Sequence, residues 1–122
     1  MVSTDKMTLQ RTSRLYTFNL TDLNWDEIYP ESDYKPPGTS SAKLALYSNT
    51  LFVFYGKKAE GINADVFSFS LDTHTWKIEY LEGENFQGRV YSAFTSFEYN
   101  NTVYAAIFGG LTHSGSSNDL FL

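Results

Sequence analysis

From Val66 to Leu71 the chain alternates: Phe67, Phe69 and Leu71 fall on one side of an extended backbone, Ser68 and Ser70 on the other. That is the period of a β-strand. Asp72-Thr73-His74-Thr75 then turns the chain, and Trp76 opens a second strand. The pattern occurs 51 residues earlier, where Tyr16, Phe18 and Leu20 stand for the three apolar positions and Trp25 for the tryptophan. A third occurrence begins 54 residues after Asp65, at Asp119-Leu120-Phe121-Leu122. A period of about 50 residues points to one supersecondary unit used several times, since each unit needs a neighbour to cover its apolar face.

The segments between the occurrences repeat as well. Strands are expected at Arg14–Leu20 and Leu23–Tyr29, followed by a proline-rich loop from Pro30 to Gly38. Ser40–Leu46 leads through an Asn49-Thr50 turn into Leu51-Phe52-Val53-Phe54-Tyr55, apolar throughout and so expected to be covered on both faces. Gly56 ends that strand, and Lys57–Ala64 is a loop. From Gly88 the cycle restarts: Arg89–Phe97 stands for Gly38–Leu46, and Ala105-Ala106-Ile107-Phe108 is a second continuous apolar strand, closed by Gly109-Gly110. Eight residues separate Gly110 from Asp119, as eight separate Gly56 from Asp65, with a glycine inside each loop, Gly61 and Gly115. The unit is thus four strands, the count of a propeller blade.

Composition narrows the class. Aromatics are 17% of 122 residues, which suits half-buried pleated surfaces, and no window shows helical periodicity, so the fold class is all-β. A net charge of −5, with Lys57-Lys58 as its one basic pair, argues against nucleic acid and anionic membrane as partners. No apolar run reaches transmembrane length, and Met1–Ser13 is polar, unlike a signal peptide; it reads as a loose tail. With no cysteine there are no disulfides or thiolate metal sites, and the combination leans to the cytoplasm. The sequons at Asn19 and Asn100 are of the kind that arise by chance.

These marks resemble kelch repeats: an apolar strand ending in a glycine pair (Gly109-Gly110), Asn118-Asp119 before an aromatic strand, and Trp76 after a short turn. Arg89 before the innermost strand fits the family; the other unit has Gly38 there, Tyr55-Gly56 for the glycine pair and Ala64-Asp65 for Asn-Asp. The resemblance covers residues 14–122 and implies a partial propeller. Residues 14–30 end one blade, 38–80 form a full blade and 88–122 an incomplete one. Nine strands make about two and a quarter blades, whereas closed propellers use roughly four to eight. The chain therefore reads as a piece of a longer protein, and alone it is expected to self-associate through uncovered blade faces. Trp25 and Trp76 are expected to anchor contacts between blades with their N–H groups bonded at the edge, and the side chains of Asp65 and Asp119 to bond loop amides.

The resemblance implies a protein-binding module, a scaffold or substrate-recognition domain such as those found beside BTB domains in cullin-based ubiquitin ligases. The alternative is part of a kelch-fold enzyme, a galactose-oxidase-like oxidase or a sugar-acid mutarotase. No catalytic, cofactor or metal site is expected: His74 reads as a solvated turn residue, and His113 has serines and Asp119 nearby without a fixed base and orienting group. Binding is assigned to the loops instead. In an up-and-down unit the connections after the second and fourth strands emerge together, gathering Pro30–Gly38 and Leu81–Gln87 with Lys57–Ala64 and Leu111–Asn118. The candidate partner-binding residues are Glu31, Asp33, Tyr34, Lys57, Lys58, Glu82, Glu84, Phe86 and His113. An acidic rim with aromatics would suit a basic or mixed partner surface; the plainer reading is that loop acids keep an aromatic-rich chain soluble.

Overall fold

The computed structural model describes residues 10–82 and 86–122. Glu84 and the first nine residues of the expected tail lie outside them. The described chain is all-β, without a helix. In order the strands are β1 (Leu15–Phe18), β2 (Trp25–Ile28), β3 (Lys43–Tyr47), β4 (Thr50–Phe54), β5 (Lys57–Lys58), β6 (Gly61–Ile62), β7 (Val66–Ser70), β8 (Thr75–Glu79), β9 (Ala93–Tyr99), β10 (Thr102–Phe108), β11 (Leu111–Thr112), β12 (Gly115–Ser116) and β13 (Leu120–Phe121). They form three principal antiparallel sheets: β1-β2, β3-β4-β7-β8 and β9-β10-β13. The small hairpins β5-β6 and β11-β12 stand at one end.

The three sheets are stacked, with the four-stranded one in the middle. Antiparallel partners share a face, so the pairings Phe67↔Ile78 and Phe69↔Trp76 put these four side chains on one side of the central sheet. There Phe67, Phe69 and Trp76 form a buried cluster with Leu15 and Ile28 of the first sheet and with Leu51, Val53 and Leu71. The opposite side carries Val66 and Phe54, which join Tyr55, Ile107, Phe94 and Phe86 in a second cluster facing the third sheet. The Phe54 and Phe94 rings are 5.1 Å apart across that gap.

Burial departs from the strand pattern in two places. The alternation of β7 suggests a polar open face, yet Val66, Phe67, Ser68 and Phe69 are all buried, because sheets lie on both sides. Ser68 stays satisfied there by donating its Oγ–H to Glu79. Conversely, β4 is half-buried at every position, while Leu44 and Leu46 on β3 are 55% and 59% exposed. The first sheet is too narrow to cover them.

Strand ends differ from expectation for backbone reasons. Leu23 and His74, 51 residues apart, both take positive φ (60° and 53°), so the second strand of each pair starts at Trp25 and Thr75. In the first of these turns Asn19 Oδ1 accepts the Thr21 N–H at 2.8 Å, an Asx turn that ends β1 at Phe18. Ser41 (φ 60°) and Tyr91 (φ 59°) kink the approach to β3 and β9. Ser40 and Val90 are thereby left free to bridge Lys57 and Leu111 rather than extend the sheets. The two expected loops, Lys57–Ala64 and Leu111–Asn118, each contain a two-residue hairpin. Of the expected tail, Thr12 bridges Thr39 and the Arg11 guanidinium donates to Ser40 Oγ at 3.1 Å.

Candidate functional site

Two loop assemblies at one end of the stack are built alike. In one, Ser40 and Lys57 exchange backbone hydrogen bonds of 2.9 and 2.8 Å; in the other, Val90 and Leu111 exchange bonds of 3.0 and 2.8 Å. Gly56 (φ +99°) and Gly110 (φ +93°) hold the corners, where a Cβ would press on the Ser40 or Val90 carbonyl at 2.9 or 2.7 Å. Only glycine meets both demands, positive φ and close approach. Below them Tyr55 N–H bonds Asp65 C=O, as Gly109 N–H bonds Asp119 C=O. The single glycine of the Tyr55-Gly56 pair suffices, and Tyr55 itself accepts φ 55° while buried at 3% exposure.

The residue that fastens the first loop is Asn63, which has no exposed surface. Its Nδ2 donates to the carbonyls of Tyr55 (3.4 Å) and Asp65 (3.1 Å), and its N–H to Gly56 (2.8 Å). Ser117 is its counterpart: its N–H bonds Gly110 C=O and its Oγ donates to Asp119 Oδ2 at 2.7 Å. Asp119 thus receives a hydroxyl rather than a loop amide, and at Asp65 the loop is tied by the neighbouring asparagine. Asn63 was readable as one of a pair, since it stands 54 positions before Ser117.

Arg89 is buried, at 2% exposure. Its Nη1 donates to Gly109 C=O at 3.0 Å, its Nε to Gln87 C=O at 3.3 Å, and its guanidinium lies 4.7 Å from the centre of the Phe121 ring. It precedes β9 and pins the corner at Gly109, holding the third sheet's loop. Tyr55, close to it, is pushed above the ordinary phenol value by burial, with Arg89 opposing the shift.

The expected gathering of loops holds in part. His113 is exposed and its Cε1 would sit 3.3 Å from a Cβ on Gly61, so the two small hairpins touch. Gly88 abuts Asn63 and Ala64, which brings this glycine to the same end. Pro37 and Gly38 line an open groove with Gln10, Arg11, Lys58, Ala59 and Glu60. Lys57 and Glu82 are exposed, and Lys58 is half-buried.

Four of the candidates go elsewhere. Glu31 donates its N–H to His74 C=O at 2.8 Å, which puts it at the far end of β7 from the hairpins. Ser32 Oγ accepts the Trp76 N–H at 3.0 Å, and the Tyr34 ring is 6.5 Å from that of Phe67. The acidic part of the 30–38 segment, with Asp33 exposed on it, therefore runs beside the edge strand β8 instead of standing on the loop rim. Covering a free edge explains the placement. Tyr34 is raised above the ordinary phenol value by burial first, then by the Asp65 charge. Phe86 turns inward: it meets Phe121 edge-on at 4.6 Å and packs on the Tyr55–Val66–Ile107 cluster. The rim, where described, is mixed in charge, with Arg11, Lys57, Lys58, Glu60 and Glu82.

Two further readings change. His74 stacks on Phe69 at 6.0 Å and is half-buried, so it is a packed turn residue and not a solvated one. Trp76 is the expected anchor, but its Nε1 is buried without a hydrogen-bond partner, because its surroundings are apolar. Trp25 contacts Phe18 at 4.8 Å and remains 68% exposed.

Among the described residues no three His, Asp or Glu side chains converge on a point where a metal could sit. Ser117 is bonded directly to Asp119, with no imidazole between them. Among the described residues no helix is long and apolar enough to cross a membrane. No protein-family model and no curated protein matches the chain.

Proposed function

We propose that the chain is part of a kelch-type β-propeller whose loop rim binds a protein partner. The observation that carries this is the duplicated corner: Gly56 with Ser40–Lys57, and Gly110 with Val90–Leu111, the same construction with its glycines 54 residues apart. Such a frame holds two hairpins of different sequence side by side. It is the arrangement a binding module uses to vary its contacts on a fixed scaffold. In this reading the stacked sheets are blades, and Lys57, Lys58 and His113 present a mixed-charge surface beside Arg11 and Glu60. Of the basic or mixed partner surfaces that the acidic loops suggested, the mixed one, with both acidic and basic groups, fits that surface better.

The test is quantitative capture from cell extract with the immobilised chain and with a Lys57→Glu/Lys58→Glu/His113→Ala variant. Loss of the same captured proteins from the variant, with its circular dichroism unchanged, supports the loop rim. Equal capture by both forms contradicts it. Reading the coding sequence on both sides of residues 1–122 tests the propeller: further kelch units beside an interaction module support a binding role. Added units carrying a run of Cys and His ligands would instead indicate an enzyme.

A further inference from the structure

The stack ends in two aromatic faces that match each other through the repeat. On the first sheet, Phe18↔Trp25 and Tyr16↔Glu27 share the side turned away from the centre. Tyr16, Phe18 and Trp25 are 45%, 39% and 68% exposed. They occupy the places of Phe67, Phe69 and Trp76, the face that the central sheet presses onto the first. On the third sheet, Phe108↔Leu120 and Phe97↔Tyr104 share the outer side, with Phe97, Phe108 and Leu120 43%, 51% and 64% exposed. Phe108 and Leu120 occupy the places of Phe54 and Val66, the paired residues on the side of the central sheet that receives its neighbour.

Each internal contact therefore has one direction: a Val66-type face of one sheet receives a Phe67-type face of the next. The first sheet exposes an unused face of the second type, and the third sheet an unused face of the first type. We infer that two copies of this chain associate head to tail, the outer face of the third sheet of one copy covering Tyr16, Phe18 and Trp25 of the other. The occupant is specified by the two contacts the molecule already makes, since the new one continues the same stacking. Such a heterologous contact leaves one face of each type open, so addition continues until a ring closes or a filament grows. The first sheet has only two short strands, so the contact is small and reversible. This inference concerns the 122-residue chain by itself, since in a larger propeller the adjacent blades would take the same two faces, and it is independent of what the loop rim binds.

The test is sedimentation velocity on the 122-residue chain over a dilution series, with Trp25→Asp and Leu120→Asp variants. Both positions are mostly exposed, so the fold should tolerate either charge. The unaltered chain should show species heavier than 13.9 kDa that dissociate on dilution, and each variant alone should be monomeric. An equimolar mixture of the two variants should form a 1:1 dimer and nothing larger, because one intact face of each type remains. A monomeric parent chain at all concentrations overturns the inference. So does self-association of either variant alone, which would indicate a like-with-like contact, or failure of the mixture to pair. If Leu120→Asp loses its circular dichroism, Phe108→Glu tests the same face.

Discussion

Trp76 and Trp25 stand at the same position of one repeated motif, yet 6% of the first is exposed and 68% of the second. Their local settings agree: Trp25 is the first and Trp76 the second residue of a strand that follows a turn with one residue at positive φ, and each lies about 5 Å from a phenylalanine ring on the paired strand. The difference is the neighbouring sheet. Leu15 and Ile28 close over Phe67, Phe69 and Trp76, whereas no described residue closes over Tyr16, Phe18 and Trp25. In a stacked architecture the strand pattern fixes which face is apolar, and the next layer decides whether that face contributes to stability.

The largest contrast should come from truncating the two tryptophans. Trp76→Ala should cost about 3–5 kcal/mol as a buried aromatic deletion, while Trp25→Ala should fall within about 0.5 kcal/mol in dilute solution. Urea unfolding of both variants checks this, and similar losses would break the comparison. Trp76→Phe should be milder than Trp76→Ala because it keeps a ring in the cluster with Phe67 and Phe69, and relative to the parent its cost is offset by loss of the unpaired Nε1–H, an unsatisfied donor that costs roughly 1–3 kcal/mol.

The duplicated corners offer a second contrast. Gly110→Ala and Gly56→Ala each force a side chain into positive φ against a carbonyl, and each should cost about 1–3 kcal/mol. Near-equal losses in thermal unfolding would sharpen the equivalence of the two loops; a loss at one corner alone would break it.

Tyr55 gives a smaller, pH-dependent effect. Burial raises its folded value above the ordinary phenol range of about 10, so the neutral phenol is favoured in the folded state. Its contribution is complete below pH ~10 and is lost as the pH rises through the folded value. Alkaline unfolding monitored by phenolate absorbance should therefore be shallower in Tyr55→Phe than in the parent chain. Smallest of all, Leu23→Gly should stabilise the first turn by about 0.5–1 kcal/mol, relieving a left-handed leucine. His74→Gly should gain less, because the stacking on Phe69 is lost.

Much of the fold was legible because the repeat supplies its own controls. The alternation at Phe67–Leu71, the apolar runs before Gly56 and Gly110, and the spacing to Asp65 and Asp119 all located strands. What could not be read was set by contacts between units. Nothing local in Ser68 says that a third sheet will bury it, and nothing in Ser41 or Tyr91 announces a left-handed kink. The loop site was less legible than the strands. Prolines marked the 30–38 segment as irregular, but its course beside β8 depends on Ser32 meeting the Trp76 amide, a pairing 44 residues apart. Phe86 looked available because its flanks are polar; the Phe121 ring that captures it lies 35 positions later.

The most direct measurement is iodide quenching of two single-tryptophan forms, Trp25→Phe and Trp76→Phe, in dilute solution. If the adjacent layer governs burial, Trp25 should quench nearly as readily as a free indole and Trp76 should be strongly protected. Equal protection of the two would contradict the view that one motif is buried and exposed in turn by its neighbour alone.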